Sequence, residues 1–217
     1  WPSSMKRIVR SRWPGGVIVE LDHRKLEPIV LAWVANDEWL VWVFTEGKGY
    51  IDIAKELWNK DIQDGTIEYR ATKSIVLGVH YNMQVKKMAR QLWNLGVKLS
   101  ATYTEHEAQT DRLRRTYLRR IPGVVQYMAE RQAELVATGQ VISATGRVRH
   151  LPVPEGRNTP SFGHLLNQAI NFPIQSLASD ITGAGLVLAE RGLVDEYLHN
   201  YIEYTKALLD ARKKCLT

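Results

Sequence analysis

Apolar residues recur with helical spacing along most of this chain, and stretches of strand character stand near its two ends. After the Gly15-Gly16 turn, Val17, Val19 and Leu21 fall on one side and Ile18, Glu20 and Asp22 on the other, which predicts a strand ending at Asp22. Residues 25–44 carry Leu26, Ile29, Val30, Trp33, Trp39, Leu40 and Val43 at helical intervals. Asn36-Asp37 interrupts them, so two short helices are predicted. A further short helix is expected over 51–58, and Gly65 ends a polar turn before a helix over 70–81. Helical patterns follow over 84–95 and over 104–120, the latter opening on a Thr104 cap and closing at Pro122, and helix resumes to about Thr138. Gly139 introduces residues 140–145, and Gly146 separates them from 147–151. A hairpin ended by Pro152 and Pro154 is therefore expected. Residues 161–171, 174–191 and 194–214 read as three closing helices. The predicted class is helix-rich α+β, with strands early and late and a helical block between them.

Charge changes this picture. The net charge is +6, yet residues 70–150 hold 14 Lys/Arg against 5 Asp/Glu, so the remainder is slightly acidic. A polyanionic partner is the natural expectation, with solvated helix faces as the plainer reading. The single cysteine, Cys215, excludes an intrachain disulfide framework and a Cys-based zinc site. No run of about 18 apolar residues is present to span a bilayer, and no signal-peptide pattern opens the chain, so a cytoplasmic protein without membrane partners is expected.

Candidate chemistry concentrates in four segments. On a helix, Lys73, Leu77 and Tyr81 share one stripe with His80 beside them, and Arg70 lies one turn before Lys73. A cation for phosphate and a ring for a base would then face one neighbour, although a solvated lysine and a packing tyrosine have the same spacing. Asp22 at a strand end, with Glu27 five positions on, puts two carboxylates at a strand-to-helix junction, where either a hard cation or a helix cap uses them. Arg147 and Arg149 lie on one face of the hairpin strand, spaced for adjacent backbone phosphates or simply exposed. Asn171-Phe172-Pro173-Ile174-Gln175 presents two amides, able to bond minor-groove acceptors or to cap a helix.

In this order the four segments resemble the polymerase domain of family A DNA polymerases. Leu21-Asp22-His23-Arg24-Lys25-Leu26-Glu27 is similar to the family's metal-binding strand end, with His23 in place of a tyrosine. Lys73, Leu77, Gly78 and Tyr81 resemble its fingers helix. Thr145 to Pro152 is similar to its Gly-Arg-x-Arg-x-Leu-Pro hairpin, and Asn171-x-Pro-Ile-Gln175 with Ala178-Ser179-Asp180 to its Asn-x-Pro-Ile-Gln helix. The resemblance implies a palm in two parts, residues 1–45 and 140–217, around helical fingers over 46–139, with an incomplete palm sheet. It implies nucleotidyl transfer from a dNTP to a primer 3′-hydroxyl on primer-template DNA, with two Mg2+ ions held by Asp22 and the His23 carbonyl. Lys73 would steady the triphosphate and protonate pyrophosphate, with Arg70 and Leu77 also at the nucleotide. Glu27 near Tyr81 would exclude a ribose 2′-hydroxyl. Asn171 and Gln175 would touch the minor groove, and Arg147 and Arg149 the DNA backbone.

The chain departs from the family pattern at several positions. Tyr69 stands where the family has an arginine, Leu77 where many members have an aromatic ring, and Ile29 and Asn167 where two further arginines are common. No hydrophobic strand leading to His-Asp-Glu precedes Thr217, and the helical surroundings of Asp210 do not supply one. With Trp1 in place of an initiator Met, a bacterial or phage fragment inactive alone is expected. Its remaining metal ligand would lie in a C-terminal region or a second polypeptide, and Cys215-Leu216-Thr217 resembles the opening of some inteins. Single-subunit RNA polymerases share the Lys and Tyr helix but place a small residue where Glu27 stands, so Glu27 favours deoxynucleotides. A non-catalytic basic helical module that binds nucleic acid is the remaining alternative.

Overall fold

The computed structural model describes residues 8, 10, 12, 14–16, 23–154 and 160–214. The strand expected over 17–22, Asp22 included, lies outside the described residues, as do residues 215–217.

Lys25 enters the first helix, α1 (Leu26–Val34), from a left-handed conformation, and Pro28 sits in its opening turn, where no N–H partner is lost. Asn36, at φ 48°, ends α1 and Asp37 starts α2 (Glu38–Thr45), so the interruption falls where the sequence puts it. The Asp37 carboxylate accepts from the Leu40 amide at 3.0 Å with one oxygen. Its other oxygen takes the Gly123 amide at 3.1 Å, so one buried side chain caps two helices. Gly49 then turns at φ 67°, ψ −121°, a conformation open to glycine, and α3 (Tyr50–Trp58) follows.

Thr66 caps α4 (Ile67–His80) by accepting from the Tyr69 amide. The Met88 methyl of α5 (Val85–Asn94) fills the space over Gly78 on α4, 2.6 Å from where a Cβ would lie. The cap of α6 (Tyr103–Arg120) is Thr102, not Thr104 as expected: the Thr102 hydroxyl accepts from the Glu105 amide at 3.3 Å. Pro122 opens α7 (Pro122–Thr138) and left-handed Gly139 closes it. Strands β1 (Gln140–Ile142) and β2 (Val148–His150) pair antiparallel, Val141 opposite Arg149, and form a two-stranded sheet.

The three expected closing helices are one, α8 (Pro160–Lys214). Pro173 removes one backbone hydrogen bond inside it, but Ile170, Ile174 and Ala178 recur at four-residue spacing against the core and carry the helix through. Gly192 is tolerated, because one glycine costs about 1 kcal/mol relative to alanine. The Tyr127 hydroxyl donates to the Ile170 carbonyl at 3.0 Å and fastens α7 to α8.

One buried cluster holds α1–α7 and the first half of α8, with Leu31, Leu40, Ile53, Ile75, Met88, Leu92, Tyr117 and Ile170 at its centre. A second, smaller one joins Leu135, Val141, Leu151 and Ala169 beneath the hairpin. No described helix is long and apolar enough to cross a membrane.

Candidate functional site

The stripe predicted on α4 faces α1 and α8. Leu77, His80 and Tyr81 form one wall of a crevice, Glu27, Pro28 and Leu31 of α1 a second, and Asn171, Ile174 and Gln175 of α8 a third. Five residues singled out in three separate sequence segments therefore meet: Glu27, Leu77, Tyr81, Asn171 and Gln175. The enclosed space is about 10 Å³, room for roughly one water. What closes it is the Tyr81 phenol, which donates to the Glu27 carboxylate. Both side chains are half-buried, so this charge-assisted bond stands in a partly dry setting.

Lys73 does not line the crevice. It is exposed, and its ammonium lies 5.8 Å from the centroid of the Tyr50 ring. Phe44 and Tyr69 meet that ring edge-on, with centroids 5.5 and 6.4 Å away. The Tyr50 hydroxyl is pushed up to about 12, first by burial and then by the charges of Tyr69 and Glu27. The Glu27 carboxylate that Tyr81 engages is the smallest of these three causes. Arg70 is exposed on α4, one turn before Lys73.

His80 sits on the stripe as expected but points into the protein, sharing a 2.8 Å hydrogen bond with the Tyr117 hydroxyl. Full burial drives its imidazole down to about 3. It is therefore neutral and structural at neutral pH.

The other candidate residues lie along α8. His23 is exposed, and its ring would stand 4.0 Å from a Cβ placed on Gly185. Arg147 pairs with the Asp180 carboxylate, which also accepts from the Thr145 hydroxyl at 2.6 Å. Arg149 lies 5.6 Å over the Phe172 ring and donates to Gln168 at 3.3 Å. Both hairpin arginines thus share one side, as their alternation requires, and both have partners on α8. Sequence reasoning missed those partners, and it missed a 2.8 Å amide pair between Asn82 and Asn167 that ties the end of α4 to α8. The left-handed Asn82, following Tyr81 at the helix end, was the available signal for it.

Among the described residues no three His, Cys, Asp or Glu side chains gather as metal ligands. Magnesium requires hard oxygen donors in near-octahedral array, and Glu27, the carboxylate that lines the crevice, is engaged by Tyr81. The metal ligand expected from the sequence, Asp22, lies outside the described residues.

The architecture is shared with a solved polymerase domain, that of Pol1 from M. smegmatis in complex with DNA primer-template and dNTP. The match has a TM-score of 0.65 at 22% identity over 80% of this chain and 29% of that one. The family model for DNA polymerase family A matches residues 3–204, and the chain belongs to that family. It is 30% identical over 195 residues to DNA polymerase I of Streptococcus pneumoniae strain R6, covering 87% of this chain and 21% of that protein. It is 24% identical to the DNA polymerase of Bacillus phage SP01, over 91% of this chain and 21% of the relative. The thermostable DNA polymerase I of Thermus aquaticus is 29% identical over 80% of this chain and 20% of the relative. The chain thus spans about a fifth of the length of these relatives.

Proposed function

We propose that this chain takes part in template-directed DNA synthesis, and that the face of α4 beside the crevice receives the incoming deoxynucleoside triphosphate. The observation that carries this reading is the hydrogen bond between Tyr81 and Glu27, residues 54 positions apart. A carboxylate held against a ring beside Leu77 leaves little room for a ribose 2′-hydroxyl, so Glu27 would select deoxyribose. Lys73, exposed on the same face with Arg70 a turn away, would meet the triphosphate as a compact point charge. The amides of Asn171 and Gln175 would touch the minor groove of the primer-template, where acceptors are common to every base pair. Arg147 and Arg149 would run beside its backbone. Residues 46–139 would then serve as fingers, with 1–45 and 140–217 as parts of the palm.

The test is fluorescence anisotropy of a labelled primer-template, with matched or mismatched nucleotide and magnesium in the buffer. A matched dNTP tightens the complex more than the corresponding rNTP does. Glu27→Ala narrows that preference by about tenfold, the worth of roughly 1.4 kcal/mol at one contact. Binding that responds to salt alone and not to matched nucleotide would instead identify a basic helical module without nucleotide selection.

A further inference from the structure

Lys73 has no carboxylate partner among the described residues, although other described cations are ion-paired, including Lys55 to Asp61 and Lys60 to Glu68. An unpaired lysine on an exposed helix face ordinarily samples many rotamers and carries about 2 kcal/mol of side-chain entropy. This one has a fixed neighbour, the ring of Tyr50, which is 6% exposed. That ring cannot turn away, because Phe44 meets it edge-on at 77° from one element and Tyr69 at 88° from another. Tyr69 occupies the α4 position where the family pattern has an arginine. At that position α4 here presents an aromatic edge that helps hold the Tyr50 ring, and its second cation, Arg70, comes one residue later.

We infer that Tyr50, clamped between Phe44 and Tyr69, is the positioning residue for Lys73, seating its ammonium so that the triphosphate meets a pre-placed charge and not a mobile one. The inference rests on the reading of Lys73 as a phosphate contact and adds the device that aims it. The physical argument is preorganisation: an ammonium drawn to a ring face loses rotamer freedom before the ligand arrives, so less is lost on binding. The ring's quadrupole is what attracts the cation, which makes Phe an adequate replacement and Leu an inadequate one.

Two measurements test this on the whole chain. In NMR spectra the Lys73 Hε resonances show an upfield ring-current shift relative to the exposed Lys86, and Tyr50→Phe retains it. Lys73 shifts equal to those of Lys86 would overturn the seat, with no variant required to fold. Second, binding of dGTP is compared in wild type, Tyr50→Leu, Tyr50→Phe, Lys73→Ala and the Lys73→Ala/Tyr50→Leu double variant, with circular dichroism as the folding control. Tyr50→Leu weakens binding about three- to tenfold. Tyr50→Phe stays within about twofold of wild type, and Tyr50→Leu adds nothing once Lys73 is gone. An equal loss in the Lys73→Ala background would make Tyr50 merely structural and overturn the inference. A Lys73→Ala variant that binds dGTP as well as wild type would instead sink the phosphate reading, while the ring-current shift still reports the seat.

Discussion

His80 illustrates how a residue on the chemically suggestive stripe of α4 is spent on stability. Its imidazole is fully enclosed and held by Tyr117, and burial lowers its pKa from 6.5 to about 3. In the unfolded chain the same group takes up a proton below its ordinary value. Between about pH 6.5 and 3 the unfolded state therefore binds one more proton than the folded state, and stability rises with pH across that window. The contribution is complete above about 6.5 and falls by about 1.4 kcal/mol for each pH unit below it. Urea denaturation at pH 7 and pH 5 should show a loss of about 2 kcal/mol that a His80→Gln variant lacks. Identical pH slopes for the two proteins would place His80 in a wetter site than this one. His106 is buried too, but both of its nitrogens are engaged by backbone: Nδ1 accepts from the Leu99 amide and Nε2 donates to the Ala89 carbonyl. That arrangement fixes the orientation of the ring.

At the scale of elements, the period of apolar residues was sufficient to locate α1–α7, and local turn chemistry marked most of their ends. Asn36-Asp37 interrupts two helices because asparagine accepts the left-handed turn and aspartate caps the next helix. The Thr104 cap was misplaced by two residues because Thr102 and Thr104 offer the same hydroxyl. Only the backbone, extended at Thr102 with φ −102° and ψ 147°, decides between them. The breaks expected in α8 failed for a different reason: tertiary packing of Ile170, Ile174 and Ala178 outweighs what Pro173 and Gly192 cost locally. Of the candidate site, the α4 stripe was legible in the helical spacing and the nearness of Glu27 to Tyr81 in the family resemblance, whereas the approach of Asn171 and Gln175 to that stripe was not. Tyr50 beneath Lys73 and Asp180 beneath Arg147 were not, since those contacts depend on how separate elements pack. Asp37 shows the same limit: its capping of α2 is a local pattern, but its bond to Gly123 spans 86 residues. Asp37→Ala leaves the Leu40 and Gly123 amides without their acceptor. It should cost about 2–3 kcal/mol in urea denaturation, against less than about 0.5 kcal/mol for the exposed neighbour Glu38→Ala. Equal costs would mean that water replaces the carboxylate at both amides.

Across the whole molecule, charge is laid out in one direction. Residues 69–104 contain no Asp or Glu, while Arg70, Lys73, Lys86, Lys87, Arg90 and Lys98 all fall within them. The stretch runs through α4 and α5, beginning on the face proposed to meet the nucleotide and continuing over an open groove of about 680 Å³. Lys86, Lys87 and Arg90 line that groove with the amides of Gln84, Gln91 and Asn94, and no described carboxylate pairs with any of the three cations. Elsewhere on the described surface Lys55, Lys60, Arg115, Arg120, Arg131 and Arg147 do have acidic partners. A row of cations that meets a phosphate backbone releases condensed counterions, so its contribution appears in the salt dependence of binding more cleanly than in any single affinity. For each phosphate contact removed, the slope of log K against log salt should become shallower by about 0.9 on duplex and 0.7 on single-stranded DNA. Replacing Lys86, Lys87 and Arg90 together by Gln should therefore flatten the slope by roughly 2–3. The preference for matched dNTP should stay unchanged, because none of the three lines the crevice between Glu27 and Tyr81. A slope equal to that of wild type would show that DNA does not cross α5, and that the acid-free stretch leaves a solvated helix face.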